Sequence, residues 1–232
     1  MILLRFKKEE RLKPIKKGIF HLRPTAAYRD DPVKYRGDPM EGKIFGNPAA
    51  SFKINGFDIS QWIESIIWSR EFEGNILSMS FFQINMDNCH EVEKGIYTIN
   101  DDAVEKMKGF GDFFITLNSA HIIPSMEAAL SGYKCNYEYH PVRYCDIHNY
   151  NAVQQCLKNM RDNGYMYSEF FLKDKSEYGP QNEWRFLIHD YANEFPLLDN
   201  GGVDLQTDFR SDVPLFKTEK LTTLRISKDL LH

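Results

Sequence analysis

Apolar and polar positions along this chain follow two rhythms, and each rhythm marks an element. Period two appears in Gly18–Arg23, where Ile19, Phe20 and Leu22 are apolar and His21 and Arg23 share a face; Pro24 closes this first strand. Asn75–Gln83 (Asn-Ile-Leu-Ser-Met-Ser-Phe-Phe-Gln) predicts a buried strand with Ser78 and Ser80 on one face. Further strands are expected at Ser51–Phe57, Phe113–Leu117, the tyrosine-rich Lys134–Asp146, Trp184–His189 and, in the tail, Leu221–Ile226. Helical spacing predicts Asp101–Gly109 with Asn100 as cap, Ile123–Gly132, and Asn149–Asn163 with Val153, Cys156, Leu157 and Met160 on one face and Gly164 as stop. Ser60–Ser69 spaces Trp62, Ile63, Ile66 and Ile67 like a helix, while its β-branched residues suit a strand. Tyr165–Asp174 either extends the preceding helix or forms a short one.

Strands and helices alternate without a strict βαβ rhythm. The pattern predicts a single α+β domain, a mixed and mostly antiparallel sheet with flanking helices. No repeat or low-complexity linker divides it, so residues 18–232 read as one domain. Residues 1–17, basic from Arg5 onward (Lys7, Lys8, Arg11, Lys13, Lys16, Lys17), read as a solvated arm, with a phosphate or nucleic-acid contact as the alternative. The segment Tyr28–Gly46 is a long loop dense in charge and turn residues.

Composition narrows the class. At 42% hydrophobic, with 17 Phe and 12 Tyr, the chain has the material for a packed core, so disorder is excluded. A net charge of −4 supplies no global field for nucleic acid. Cys89, Cys135, Cys145 and Cys156 form no paired spacing, and the histidines lack a matching second half, so neither a disulfide framework nor a metal site is expected. No apolar run has the length of a membrane span or a leader core, and a soluble, cytoplasmic protein is the expectation.

Glycine-loop signatures for dinucleotides and triphosphates are missing; Gly109-Phe110-Gly111 is too short. The chemistry-bearing stretch is Gln181-Asn182-Glu183-Trp184-Arg185-Phe186, a turn feeding a half-buried strand. Such a turn can hold an amide and a carboxylate side by side. Glu183 reads either as an ion-pair partner on an edge or as a cleft carboxylate. In a cleft it would bind a sugar hydroxyl and stabilise positive charge developing at an anomeric carbon. One carboxylate suffices there when the leaving group, such as nicotinamide, needs no proton. Arg23 reads as a surface charge or as a planar fork for phosphate. His21 on the same face would meet a ribose or adenine. Ser78 and Ser80 read as packing fillers or as hydroxyls that make room for a ligand and hold the carboxylate. Tyr28 can stack on a planar ring, and Asp38 and Glu41 can orient Arg23 or Arg36.

The ordered set Arg23, Ser78-Met79-Ser80, Gln181-Asn182-Glu183 resembles the arginine–serine–glutamate signature of ADP-ribosyltransferases. The resemblance implies a split sheet core and NAD as cofactor. It places Arg23 and His21 on the pyrophosphate and adenosine side and Ser78 and Ser80 around the nicotinamide ribose, with Tyr28 as a further cofactor-binding residue. Glu183 is the implied catalytic residue, and Gln181 presents the acceptor, a protein or nucleic acid. Met79 stands where the family has Thr, and no glycine follows Arg23. A wider pattern, Phe20-His21-Leu22-Arg23, Tyr28-Arg29, Arg36 to Gly42, Leu77 to Ser80, then Lys173, Tyr178 and Gln181 to Phe186, looks like an uncharacterised family of bacteria and phages. That likeness implies a toxin, phage-defence or counter-defence role. The alternative is a non-catalytic module that binds a nucleotide or protein, with Tyr133, Tyr137, Tyr139 and Tyr144 near His140 as contact surface. A metal-dependent nuclease built on Asp38 and Glu41 is a third option.

Overall fold

A computed structural model describes residues 1–29, 31, 37–46, 53–58, 66–68 and 75–231. In chain order these form β1 (Ile2–Lys7), α1 (Glu9–Lys16), β2 (Ile19–Pro24), β3 (Ile44–Gly46), β4 (Lys53–Ile54), β5 (Phe57–Asp58), β6 (Ile66–Trp68) and β7 (Ile76–Ile84). There follow β8 (Cys89–Glu93), β9 (Ile96–Ile99), α2 (Asp101–Lys108), β10 (Phe113–Asn118), α3 (Ser119–Leu130), β11 (Asn136–Pro141), β12 (Arg143–Cys145), α4 (Tyr150–Asp162) and β13 (Leu172–Asp174). The chain ends with α5 (Lys175–Tyr178), β14 (Glu183–His189), β15 (Val203–Gln206), β16 (Phe216–Lys217) and β17 (Ile226–Ser227). Trp62, Ile63, Arg36 and the start of the expected Ser51–Phe57 strand lie outside the described residues; the described part of that strand is a hairpin, β4–β5, turning on Asn55 and Gly56 at positive φ.

The core is one antiparallel sheet in the order β11-β14-β7-β1-β10-β16, to which β2 and β15 attach through β7. Strands from both ends of the sequence enter this sheet, and the fold is a single α+β unit, as the pattern predicted. One face carries Leu77, Met79, Phe81, Trp184, Phe186 and Ile188, and packs against Leu12 and Ile15 of α1 and Ile122, Met126 and Leu130 of α3. The opposite face is divided. Leu4, Phe6, Phe82, Ile84 and Phe114 pack on α2, while Ile76 and Leu187 pack on Val153, Leu157 and Met160 of α4. Between these two clusters, β7 presents Ser78 and Ser80 where the period-two pattern would place apolar residues.

The first seventeen residues differ from the expected arm. β1 lies between β7 and β10, with Leu3 and Leu4 fully buried, and α1 packs behind it. Apart from Lys7, which ends β1, the lysines that colour this segment basic sit on the turns and on α1, while the apolar positions face inward. Other differences have local causes. Lys134–Asp146 is two strands, because β11 ends at Pro141 and the chain turns to pair β12 in parallel with β13. Tyr165–Asp174 is a 3-10 turn followed by β13. Leu221 lies in a 3-10 turn and only Ile226–Ser227 forms a strand. Asn100 precedes α2 without a capping side chain, since its Oδ1 meets His90 Nδ1 at 2.8 Å. No helix among the described residues is long and apolar enough to cross a membrane.

Removing residues 1–7 tests this placement. It takes away three buried side chains, each contributing about 1.5–3 kcal/mol. That sum rivals a whole domain's stability of roughly 5–15 kcal/mol. The truncated chain is expected to lose its cooperative urea transition, followed by tryptophan fluorescence; an unchanged midpoint would mean the segment is dispensable.

Candidate functional site

β7 explains where a site can form. Along one edge it pairs with β14 from Ile76 to Phe82. Its other edge is shared: β2 covers Leu77 and Ser78, through Pro24 and Arg23, and β1 covers Phe82, Gln83 and Ile84. Neither strand pairs with Met79, Ser80 or Phe81, so the sheet is split there. An open cleft occupies the split and encloses about 660 Å³ of atom-free space, part of it solvent. Its walls combine Leu4, Phe6 and Phe82 from one face with Arg5, Lys7 and Phe81 from the other, which is possible only where the sheet is open. Tyr28, Phe110, Ser80, Lys173, Gln181, Glu183 and Arg185 complete the lining.

The polar floor is a tight charge cluster. Asn182 adopts the left-handed region (φ 41°), which Asn tolerates better than most residues, and this turn aims Glu183 from the first position of β14. Ser80 Oγ donates to Glu183 Oε1; Arg185 Nε and Nη2 donate to the same oxygen at 3.0 and 2.7 Å; Lys173 Nζ lies 2.8 Å from Oε2. The Glu183 amide donates to Tyr144 Oη at 2.9 Å, which fixes its backbone. Arg185 also donates to both oxygens of Glu41 and to the Phe170 carbonyl. Burial pushes the Glu183 carboxyl up, but Arg185, then Lys173 and Ser80, outweigh it and hold it well below the usual carboxylate range. Glu41, by contrast, is raised, because burial outweighs the attraction of Arg185 and Lys173. Lys173 and Arg185 are held above their ordinary values: burial lowers each, and the carboxylates more than restore them.

The sequence-predicted residues divide. Gln181, Ser80, Tyr28 and Glu183 line the cleft together. Ser78 is fully buried, its hydroxyl meets no partner among the described residues, and it is not in the wall; β2 closes the sheet edge over it. Arg23 stands one ring away, its guanidinium 5.2 Å from the Tyr28 ring and 3.4 Å from Asp31. His21 does not reach the cleft. It faces Asp204 of β15 at 2.7 Å, because β15 docks at that position of β2. Asp38 accepts from the Met40 amide, and Glu41 orients Arg185 rather than Arg23. Tyr144 belongs to the floor and not to an outer contact surface, whereas Tyr133 and Tyr137 are partly exposed.

Arg5, Lys7, Lys173, Arg185 and Phe110 were not among the expected site residues, although Arg5 and Lys7 belong to the basic segment for which a phosphate contact was the alternative, and Arg185 to the stretch that carries Glu183. Lys173 had one signal, its place in the wider bacterial and phage pattern. Phe110 had another, the glycines around it: a Cβ on Gly111 would sit 2.7 Å from the Lys7 backbone nitrogen, so only glycine lets this loop lie against β1. Four cations against one carboxylate give the lining an excess of positive charge in a chain of net charge −4. Among the described residues no group of three or more His, Cys, Asp or Glu side chains converges as a metal site. Comparison with protein-family models, curated proteins and solved structures gives no match.

The floor predicts a pH signature. The folded Glu183 carboxyl lies below its unfolded value of about 4.3. Its contribution to stability is therefore present above about pH 4 and is lost as pH falls toward the folded value. Glu183→Gln is expected to cost about 3–5 kcal/mol at pH 7, by leaving Lys173 and half of Arg185 uncompensated. In urea unfolding, the difference from wild type should narrow only below about pH 4. A gap constant from pH 7 to 3 would show that Glu183 is not held ionised by its partners.

Proposed function

We propose that the cleft binds NAD and that the protein is an ADP-ribosyltransferase-like enzyme acting on a macromolecular acceptor. The observation that carries this reading is the Ser80–Glu183 hydrogen bond in the open split of the sheet, with Gln181 beside it. The reaction needs an ionised carboxylate. It would accept from the ribose 2′-hydroxyl and stabilise the oxocarbenium-like transition state as nicotinamide leaves. Glu183 is held in that state. Its Oε1 is crowded by three donors, but among the described residues Oε2 has one partner, Lys173, which leaves acceptor capacity for a ligand hydroxyl. Tyr28, Phe81, Phe82 and Phe110 supply flat apolar walls for a ring, and the cationic lining suits a pyrophosphate. Gln181 would present the acceptor. The likeness to a bacterial and phage family suits a role as toxin, defence or counter-defence factor.

A second reading, a non-catalytic nucleotide- or protein-binding module, is favoured by the same cluster: two cations already neutralise Glu183. Incubation with labelled NAD and cell lysate separates the two. The enzyme reading expects nicotinamide release and a labelled band with wild type, and at least a hundredfold loss in Glu183→Gln, on the scale of one removed transition-state group. Binding of NAD with no release by wild type would leave the module; neither binding nor release would sink the NAD reading.

A further inference from the structure

We propose that Arg5 is the anion anchor of the cleft and, together with Lys7, holds a phosphoryl group of the ligand. This deepens the reading above, since it rests on the cleft being a ligand site, but it does not depend on NAD being turned over.

The argument begins with what each cation already holds. Lys173 and Arg185 both pair with Glu183, and Arg185 with Glu41 as well. Arg23 pairs with Asp31 outside the wall. Arg5 is different: among the described residues no carboxylate lies within ion-pairing distance of it, although it lines a cavity walled by aromatic rings. A guanidinium in such a place normally acquires a counter-charge, and here the open side of the cavity is where one can enter.

Its geometry is also fixed. Arg5 Nη1 donates to the Ser80 carbonyl, which the split has left without a neighbouring strand, and the guanidinium lies 5.8 Å from the centre of the Phe81 ring. Tyr28 lines the same cavity, and its proximity favours the charged form of Arg5 against the cost of burial. A guanidinium carries five N–H donors in one plane, so these contacts hold the fork still and leave donors for two oxygens of a phosphoryl group. Lys7, two residues on along β1, lines the same cavity and adds a second positive charge. An oxygen anion seated there would lie in the cleft that also exposes Glu183, with the aromatic walls beside it for an attached ring. The ligand class is a phosphorylated or pyrophosphorylated compound carrying a planar ring, a nucleotide in the simplest case.

The test is direct binding by calorimetry with inorganic pyrophosphate, ADP, ADP-ribose and phosphate-free adenosine, on the full chain. Wild type is expected to bind the three phosphorylated probes, with affinity falling as salt rises. Arg5→Gln should weaken them at least tenfold and change adenosine binding less than twofold; Arg5→Lys should recover part of the loss. Because Arg5 also supports the Ser80 carbonyl, Lys7→Gln serves as a second variant and should weaken the same probes several-fold in a chain that keeps the Arg5–Ser80 bond. Phosphorylated probes that fail to bind wild type, or that bind Arg5→Gln and Lys7→Gln as tightly, overturn the anchor. Arg5-dependent ADP binding without NAD turnover keeps the anchor and removes the transferase. NAD turnover with a KM unaffected by Arg5→Gln does the reverse.

Discussion

One guanidinium ties the site together. Arg185 sits on β14, an inner strand covered on both faces, and a bare charge there would cost several kcal/mol. Its five donors are matched by Glu183 on its own strand, by Glu41 from a loop far upstream, and by the Phe170 carbonyl. Three distant stretches of chain are thereby fixed to a single planar group. Gly42 shows how closely the loop is drawn in: a Cβ there would strike the Phe170 ring at 2.4 Å. With Glu41 and Phe170 in place, β13 is set to deliver Lys173 to the remaining oxygen of Glu183.

The split in the sheet is the second constraint, and it follows from two strands competing for one edge. β2 terminates at Pro24, which has no amide hydrogen to continue a ladder. β1 takes over only from Leu4 opposite Phe82. The interval exposes backbone that a closed sheet would pair, and Arg5 supplies the missing donor to Ser80. The same interval gives the cleft its depth. A chain that is acidic overall can therefore carry a cationic pocket, because β1 brings Arg5 and Lys7 to the place where the backbone is open.

Much of the fold was legible. β7 was readable because its apolar run is interrupted by serines at period two, and α4 because Val153, Leu157 and Met160 recur at helical spacing before the stop at Gly164. The convergence of Ser80, Gln181 and Glu183 was readable as an ordered set, since each sits on a strand or turn with a strong local pattern. β1 was hidden: Leu3, Leu4 and Phe6 form too short an apolar pattern to stand out against the lysines that follow. Lys173 was hidden for a different reason. Nothing local marks a lysine as buried when its counter-charges are ten residues downstream and across the fold. His21 was placed on the correct face of β2, but the strand that engages it, β15, arrives from the far end of the sequence. Glu183 opens a strand that is buried along its full length, not half-buried, because β11 and β7 flank it and apolar layers cover both faces.

The ion cluster bears on both functional readings through one physical question, how free Glu183 is to interact with a ligand. A carboxylate held by two cations presents a weaker field to a developing positive charge than an isolated one would. It is also locked in rotamer and ionised across the neutral range, so no reorganisation is needed when charge develops. The two effects oppose each other, and their balance turns on Lys173. Arg185 holds Oε1 together with Ser80 and cannot move without exposing Glu41. Lys173 makes a single 2.8 Å contact to Oε2, its ammonium lies 5.0 Å from the Tyr178 ring, and its flexible stem lets the head shift. An anion entering beside Arg5 would compete with Glu183 for that ammonium. If such a ligand drew Lys173 even slightly away, the field of Glu183 would strengthen as the cleft filled, and ligand charge and carboxylate strength would be coupled through one lysine.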